Sequence, residues 1–191
     1  MREGIVDVTT GNITAPTNSV PLPIAFEGPF ATVDTWQQLE EITNALPGIS
    51  NSEKGRIVLS TQLVERAFLA DTRYKFFSYW VALEVAADTH RTGKIATLLT
   101  KAYGRSRGYI LTDLGFELLK ATRTAVFHNG EHYEMPSDVE RYVHLLFLDV
   151  VRAKLGLQCR EYMGAAVKEG FNVKRLDRTL AQAEVPTIEV P

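Results

Sequence analysis

The sequence predicts an all-α fold, a helical bundle carrying a short non-helical, β-type arm at its N-terminus. Three observations carry that prediction. From residue 34 onward apolar side chains recur at three- and four-residue spacing, the period of a helix with one buried face. The periodic stretches are separated by short stops that contain Gly, Pro or Asn. Strand-type composition is confined to residues 1–33, where runs such as Ile5–Val8 and Ile24–Phe26 alternate with "TGN" and "APTN" turn signals. Prolines 16, 21, 23 and 29 exclude a central strand there, so 1–33 reads as an extended arm with room for one hairpin.

The elements follow in order. Asp34 or Thr35 caps a first helix with Trp36, Leu39, Ile42 and Leu46 on one stripe, stopped by Pro47–Gly48. A second covers about 53–70, with Ile57, Val64 and Phe68 apolar. The third starts at a capping Asp71 and runs to about His90; Tyr74, Phe77, Trp80, Val81 and Glu84 lie on or near one stripe, which makes it central to the core. "GKIATLLTKAYG" is a shorter helix closed by Gly104, and the next runs from about Thr112 to His128, with Gly130 as its stop. Ser137 and Glu140 form the pattern of a capping box ahead of a helix apolar around most of its circumference, ending at Gly156. A last helix spans about 158–169, and "AQAEVPTIEVP" reads as extended. The helical domain is thus 34–172, and 173–191 is a C-terminal helix or tail.

The chain has 191 residues, 45% hydrophobic and 23% charged, the balance of a folded domain rather than a disordered segment. A net charge of −2 excludes the basic footprint of a protein that coats duplex nucleic acid, but allows a local basic patch. The lone Cys159 has no intrachain disulfide partner and reads as a buried or half-buried thiol. No apolar run approaches the ~20 residues of a membrane span, and the N-terminus lacks a signal-peptide core, so a cytoplasmic protein without a membrane association is expected.

The stretch "RTAVFHNG" (123–130) carries the candidate chemistry. Arg123 and His128 are separated by four residues, roughly 140° apart on an ideal helix. Both also suit a helix C-terminus, where the macrodipole favours positive charge. Their context adds information: upstream lies "YWVALE" in an aromatic-rich helix, downstream a short polar loop and then the long apolar helix from Ser137. Across about residues 73–155 this order resembles the HEPN superfamily, most closely its Apea-like branch, with its W-x-ALE-type helix and R-x4-6-H element. The resemblance implies a helical bundle that pairs as a homodimer across a cleft and cleaves RNA without metal or cofactor. It implies His128 as general acid and base, with RNA's own 2′-OH as nucleophile, and Arg123 as the group that stabilises the phosphate. A defence or toxin setting, with an antitoxin or other protein partner, follows by the same analogy. Thr124 and Asn129 differ from the residues common beside the pair in active members, and the superfamily also includes non-catalytic modules that dimerise or bind RNA.

Other residues have two readings. Glu84 is either a carboxylate satisfied by an arginine at the core's rim or an orienter of Arg123 or His128. "RSRGYILTDLGFELL" resembles the wing-to-helix junction of winged-helix regulators, with Arg105 and Arg107 as phosphate contacts, although the apolar "WVALEVAADT" upstream makes a poor recognition helix. Lys168, Lys174, Arg175 and Arg178 form a modest basic cluster, of which Lys174 and Arg175 are candidate RNA contacts. "HNGEHYE" places His128 and His132 near Glu131 and Glu134, but a helix broken at "NG" cannot aim both histidines at one ion, so no metal site is expected. His90 and His144 complete the histidines.

Overall fold

A computed structural model describes residues 35–69, 72–129 and 135–184. The arm 1–33, the caps at Asp34 and Asp71, the loop with Gly130, Glu131, His132 and Glu134, and the end of the tail lie outside the described residues. Among the described residues there are eight α-helices and no strand: α1 Thr35–Ala45, α2 Asn51–Leu69, α3 Thr72–Ala87, α4 Thr92–Tyr103, α5 Phe116–Asn129, α6 Ser137–Lys154, α7 Tyr162–Lys168 and α8 Lys174–Glu184. The all-α bundle is therefore observed. Pro47 ends α1 in a single 3-10 turn, Leu46–Gly48.

α3 lies at the centre, packed against α2 on one side and α6 on the other. Its buried positions are Phe76, Tyr79, Trp80, Ala82, Leu83, Ala86 and Ala87. This corrects the predicted stripe: Val81 is 45% exposed, and Phe77 and Glu84 are only half-buried. Two flanking helices bury two sides of α3 and leave the Phe77–Val81–Glu84 side facing outward. Trp80 is sandwiched by Phe76 at 6.1 Å and Phe116 of α5 at 6.5 Å, so the indole joins α3 to α5.

Helix starts show where tertiary contacts prevail over local signals. α5 begins at Phe116, not Thr112, because residues 109–113 form a π-helical turn. Its closing bonds run from Leu114 N–H to the Tyr109 carbonyl (3.0 Å) and from Gly115 N–H to the Thr112 carbonyl (3.1 Å). Gly115 has φ +65°, and a Cβ there would sit 2.6 Å from Val173 Cγ1 and 2.8 Å from Leu176 Cδ1. Only glycine lets the start of α8 pack against this turn. No strand occurs among residues 105–115.

The expected capping box at Ser137 does not form. Pro136 occupies the cap position with no side-chain cap bond, and Glu140 is buried instead of reaching back over the first turn. Its carboxylate contributes to the raised pKa of Tyr79, which burial chiefly pushes up to about 12. A capping box does form at α2, where Ser50 Oγ donates to Glu53 Oε2 (2.6 Å) and accepts from Glu53 N–H (3.3 Å).

α7 begins at Tyr162 rather than near 158 because Asp149, fully buried on α6, accepts the N–H groups of Tyr162 (3.0 Å) and Met163 (3.1 Å). The Tyr103 hydroxyl also donates to Asp149, and Cys159 Sγ lies 3.8 Å away. Burial pushes this half-buried thiol up to about 12, in keeping with an inert cysteine. Nearby, buried Arg152 pairs with Glu41 of α1 at 2.6 Å and donates through Nε to the Gln158 carbonyl (3.0 Å). Ala181 to Glu184, expected to be extended, instead complete α8, whose Leu176 and Thr179 are buried; α8 lies against α5. No helix among the described residues is long and apolar enough to cross a membrane.

Candidate functional site

The outward side of α3 is built by spacing alone. Phe77, Val81 and Glu84 follow one another at four and three residues, a single helical face, and Asp88 stands in the turn just beyond it. α2 borders that face through Arg56 and Leu59 without burying Val81, and Arg123 and Phe127 of α5 also reach it.

Glu84 is the hinge of the arrangement. Its Oε1 accepts a hydrogen bond from Trp80 Nε1 at 2.9 Å, and the same oxygen lies 3.8 Å from Arg123 Nη2. The buried indole thereby fixes the carboxylate, and the carboxylate sets the position of the guanidinium. On its other side Arg123 stacks over the Phe127 ring, 5.1 Å to the centroid, and Phe127 meets Phe77 edge-on at 6.0 Å. Arg123 keeps 33% of its side chain exposed. A guanidinium carries five N–H donors, and one long contact to a carboxylate occupies little of that capacity. Arg123 is therefore positioned but not consumed, the state required of a group that receives a phosphate.

The remaining sequence candidates fall in several places. His128 and Asn129 lie in the last turn of α5, and their side chains are outside the described residues. The Thr124 hydroxyl donates to the carbonyl of Lys120 at 3.1 Å, back onto its own helix. Arg105 lies 3.8 Å from Glu161 and over the Tyr109 ring, while Arg107 Nη1 donates to Thr97 at 3.1 Å. On α8, Lys174 is exposed and Arg175 pairs with Asp138 of α6 at 2.9 Å. The structure thus joins Arg123 to Glu84 and gives Arg105, Arg107 and Arg175 partners on other elements.

Three features of the site were not singled out from the sequence. Trp80 as a donor to Glu84 was present in the text as W-x3-E, a four-residue helical spacing. Phe127 at 62% exposure and Leu59 at 48% are, with Val81, the large exposed apolar residues among those described. A groove of about 490 Å³ opens beside Glu84, lined by Leu59, Val81, Asp88 and His90 among others, with Arg56 paired to Asp88 at 3.2 Å on its edge. His144 is stacked on Tyr79 at 5.3 Å, and burial pushes its ring down to about 4, so it is neutral near pH 7 and outside this site.

Comparison of the chain with protein-family models, with curated proteins and with solved structures found no match.

Proposed function

We propose that this chain is a metal-independent endoribonuclease of the HEPN type, active as a homodimer. The observation that supports it is the half-exposed Arg123, held by Glu84 and Phe127 with most of its donors free for a phosphate. In the proposed reaction the 2′-OH of RNA attacks the adjacent phosphorus. The 2′-O–P bond forms, the P–O5′ bond breaks, and negative charge grows on the non-bridging oxygens. Arg123 stabilises that charge through paired N–H donors. His128 accepts the 2′ proton and returns a proton to the departing 5′ oxygen, which an imidazole titrating near neutrality can do in either direction. The nucleophile comes from the substrate, so the chemistry needs no metal.

Helix geometry supports a dimer. Positions 123 and 128 lie about 140° apart on an ideal helix, a separation that favours a site completed by a second copy over one closed within a single helix. Leu59, Val81 and Phe127 surround Arg123's side of the molecule with exposed apolar surface for that contact.

The test is incubation of wild type, Arg123→Ala and His128→Ala with mixed RNAs in EDTA. Wild type is expected to leave 2′,3′-cyclic phosphate ends, and each variant to lose at least about a hundredfold in rate, the usual order for removing an acid–base or charge-stabilising group. Absence of cleavage by wild type, with self-association retained, favours a non-catalytic dimerisation module, a reading that Thr124's bond to its own backbone also suits.

A further inference from the structure

Residues 89–112 contain five Lys and Arg and no Asp or Glu, in a chain whose net charge is −2. The segment opens at a fixed turn. Asp88 takes φ +56°, Thr89 N–H donates to the Glu84 carbonyl (3.1 Å), and Thr89 Oγ1 accepts from Arg91 N–H (3.1 Å). α4 then buries Ile95, Ala96, Leu99 and Tyr103 and turns Lys94, Thr97 and Lys101 outward on one face. Lys94 and Lys101 are two turns apart, about 10.5 Å along the axis. Both are exposed, and neither has an ion-pair partner among the described residues. Arg105 and Arg107 extend the series beyond Gly104.

This stripe connects to the Arg123 site. The groove beside Glu84 ends at Asp88, Thr89 and His90. A second groove, of about 290 Å³, begins at the same Asp88 and Thr89 and continues to Lys94 and Lys154. The two share Asp88 and Thr89 in their walls, so they adjoin just beyond α3; of the α4 cations the second holds Lys94, and Lys101 and Arg105 lie farther along the surface. The acidic groups along it, Glu84, Asp88 and, beside Arg105, Glu161, each face an arginine.

We infer that a single RNA strand uses these adjoining grooves as one channel, its phosphates running from the Arg123 site past Lys94 and on over Lys101 and Arg105. The inference rests on Arg123 being a phosphate ligand and adds where the rest of the strand runs. One observation favours RNA over an anionic membrane. The outer face of α4 reads Lys–Thr–Lys with its apolar residues turned inward, whereas a membrane-surface helix presents large apolar side chains outward.

The test measures binding apart from cleavage. Anisotropy of a fluorescent 20-nucleotide RNA is followed against salt on His128→Ala, which keeps the RNA intact, and on the same protein with Lys94→Ala and Lys101→Ala added. The expected result is weaker binding and a log K against log salt slope shallower by about 1.4, two phosphate contacts at about 0.7 each. Lys54→Ala, on the exposed part of α2, is expected to leave the slope unchanged. An unchanged slope in the double variant overturns the channel, as does absence of RNA binding or lysine-dependent binding to phosphatidylserine vesicles in its place. If the lysines set the RNA slope but wild type cleaves nothing, the channel stands and the nuclease proposal falls. Cleavage by wild type with no dependence on the lysines gives the reverse.

Discussion

At the scale of single residues, the Glu84–Arg123 contact is informative because it is a poor source of stability. A partly exposed ion pair at 3.8 Å contributes between about zero and 1 kcal/mol. Its value lies in aiming the guanidinium, and Trp80 aims the carboxylate in turn. Glu84→Ala is therefore expected to reduce RNA cleavage by about 10- to 100-fold, the cost of a displaced charge-stabilising group. Glu84→Gln, which keeps an acceptor for Trp80, should retain wild-type thermal stability and recover part of the rate. Cleavage by Glu84→Ala at the wild-type rate would reduce Glu84 to a packing role.

Asp149 makes a second prediction at this scale. Burial pushes its carboxyl up to about 6, although Tyr103, Tyr162 N–H and Met163 N–H all favour the charged form. An unfolded aspartate titrates near 4, so between about pH 4 and 6 the native state holds a proton that the unfolded chain has released. Stability from this group is full below that window and is lost as pH rises through it, by an amount on the order of 3 kcal/mol. His144 acts oppositely: its depressed folded pKa, about 4, lies below the unfolded value near 6.5, so its effect is a loss of stability as pH falls through that range. Asp149→Asn leaves only the second effect. Urea titrations between pH 4 and 6.5 are expected to show stability of the variant rising with pH more steeply than that of wild type. Parallel profiles would contradict the assignment.

At the scale of elements, Gly115 is the position least able to change. Gly115→Ala introduces a positive-φ alanine and a methyl within 3 Å of Val173 and Leu176, and should destabilise by more than about 1–2 kcal/mol, read as a fall in Tm of several degrees. A variant as stable as wild type would show that the start of α8 can move aside at little cost. Much at this scale was legible in the sequence. Apolar period and Gly or Pro stops placed α1 to α6 near their observed bounds, because those signals are local. What escaped was decided at a distance. Ser137 and Glu140 have the right spacing for a capping box, but the core draws Glu140 inward. Ser50 and Glu53 have the same spacing at an exposed helix start, and there the box forms. The starts of α5 and α7 were set by Gly115, visible in the sequence while its contact with α8 is not, and by a carboxylate on α6 that leaves no mark near residue 162. For the site, Arg123 and Glu84 were readable as candidates, while their partners Trp80 and Phe127 required knowing that α5 lies beside the outward face of α3.

At the scale of the whole molecule, Val81 and Phe127 flank Arg123 on a surface that the bundle leaves open. Phe127→Glu is expected to weaken self-association in sedimentation equilibrium and to lower cleavage in parallel, since the proposed site is completed by a second copy. Full cleavage by a monomeric variant would separate activity from pairing.

The most direct measurement is RNA cleavage in EDTA by wild type, Arg123→Ala and His128→Ala, each first shown to fold by circular dichroism. The account predicts cyclic-phosphate products from wild type and a loss of about a hundredfold or more in both variants. Cleavage persisting at the wild-type rate in either variant would contradict it.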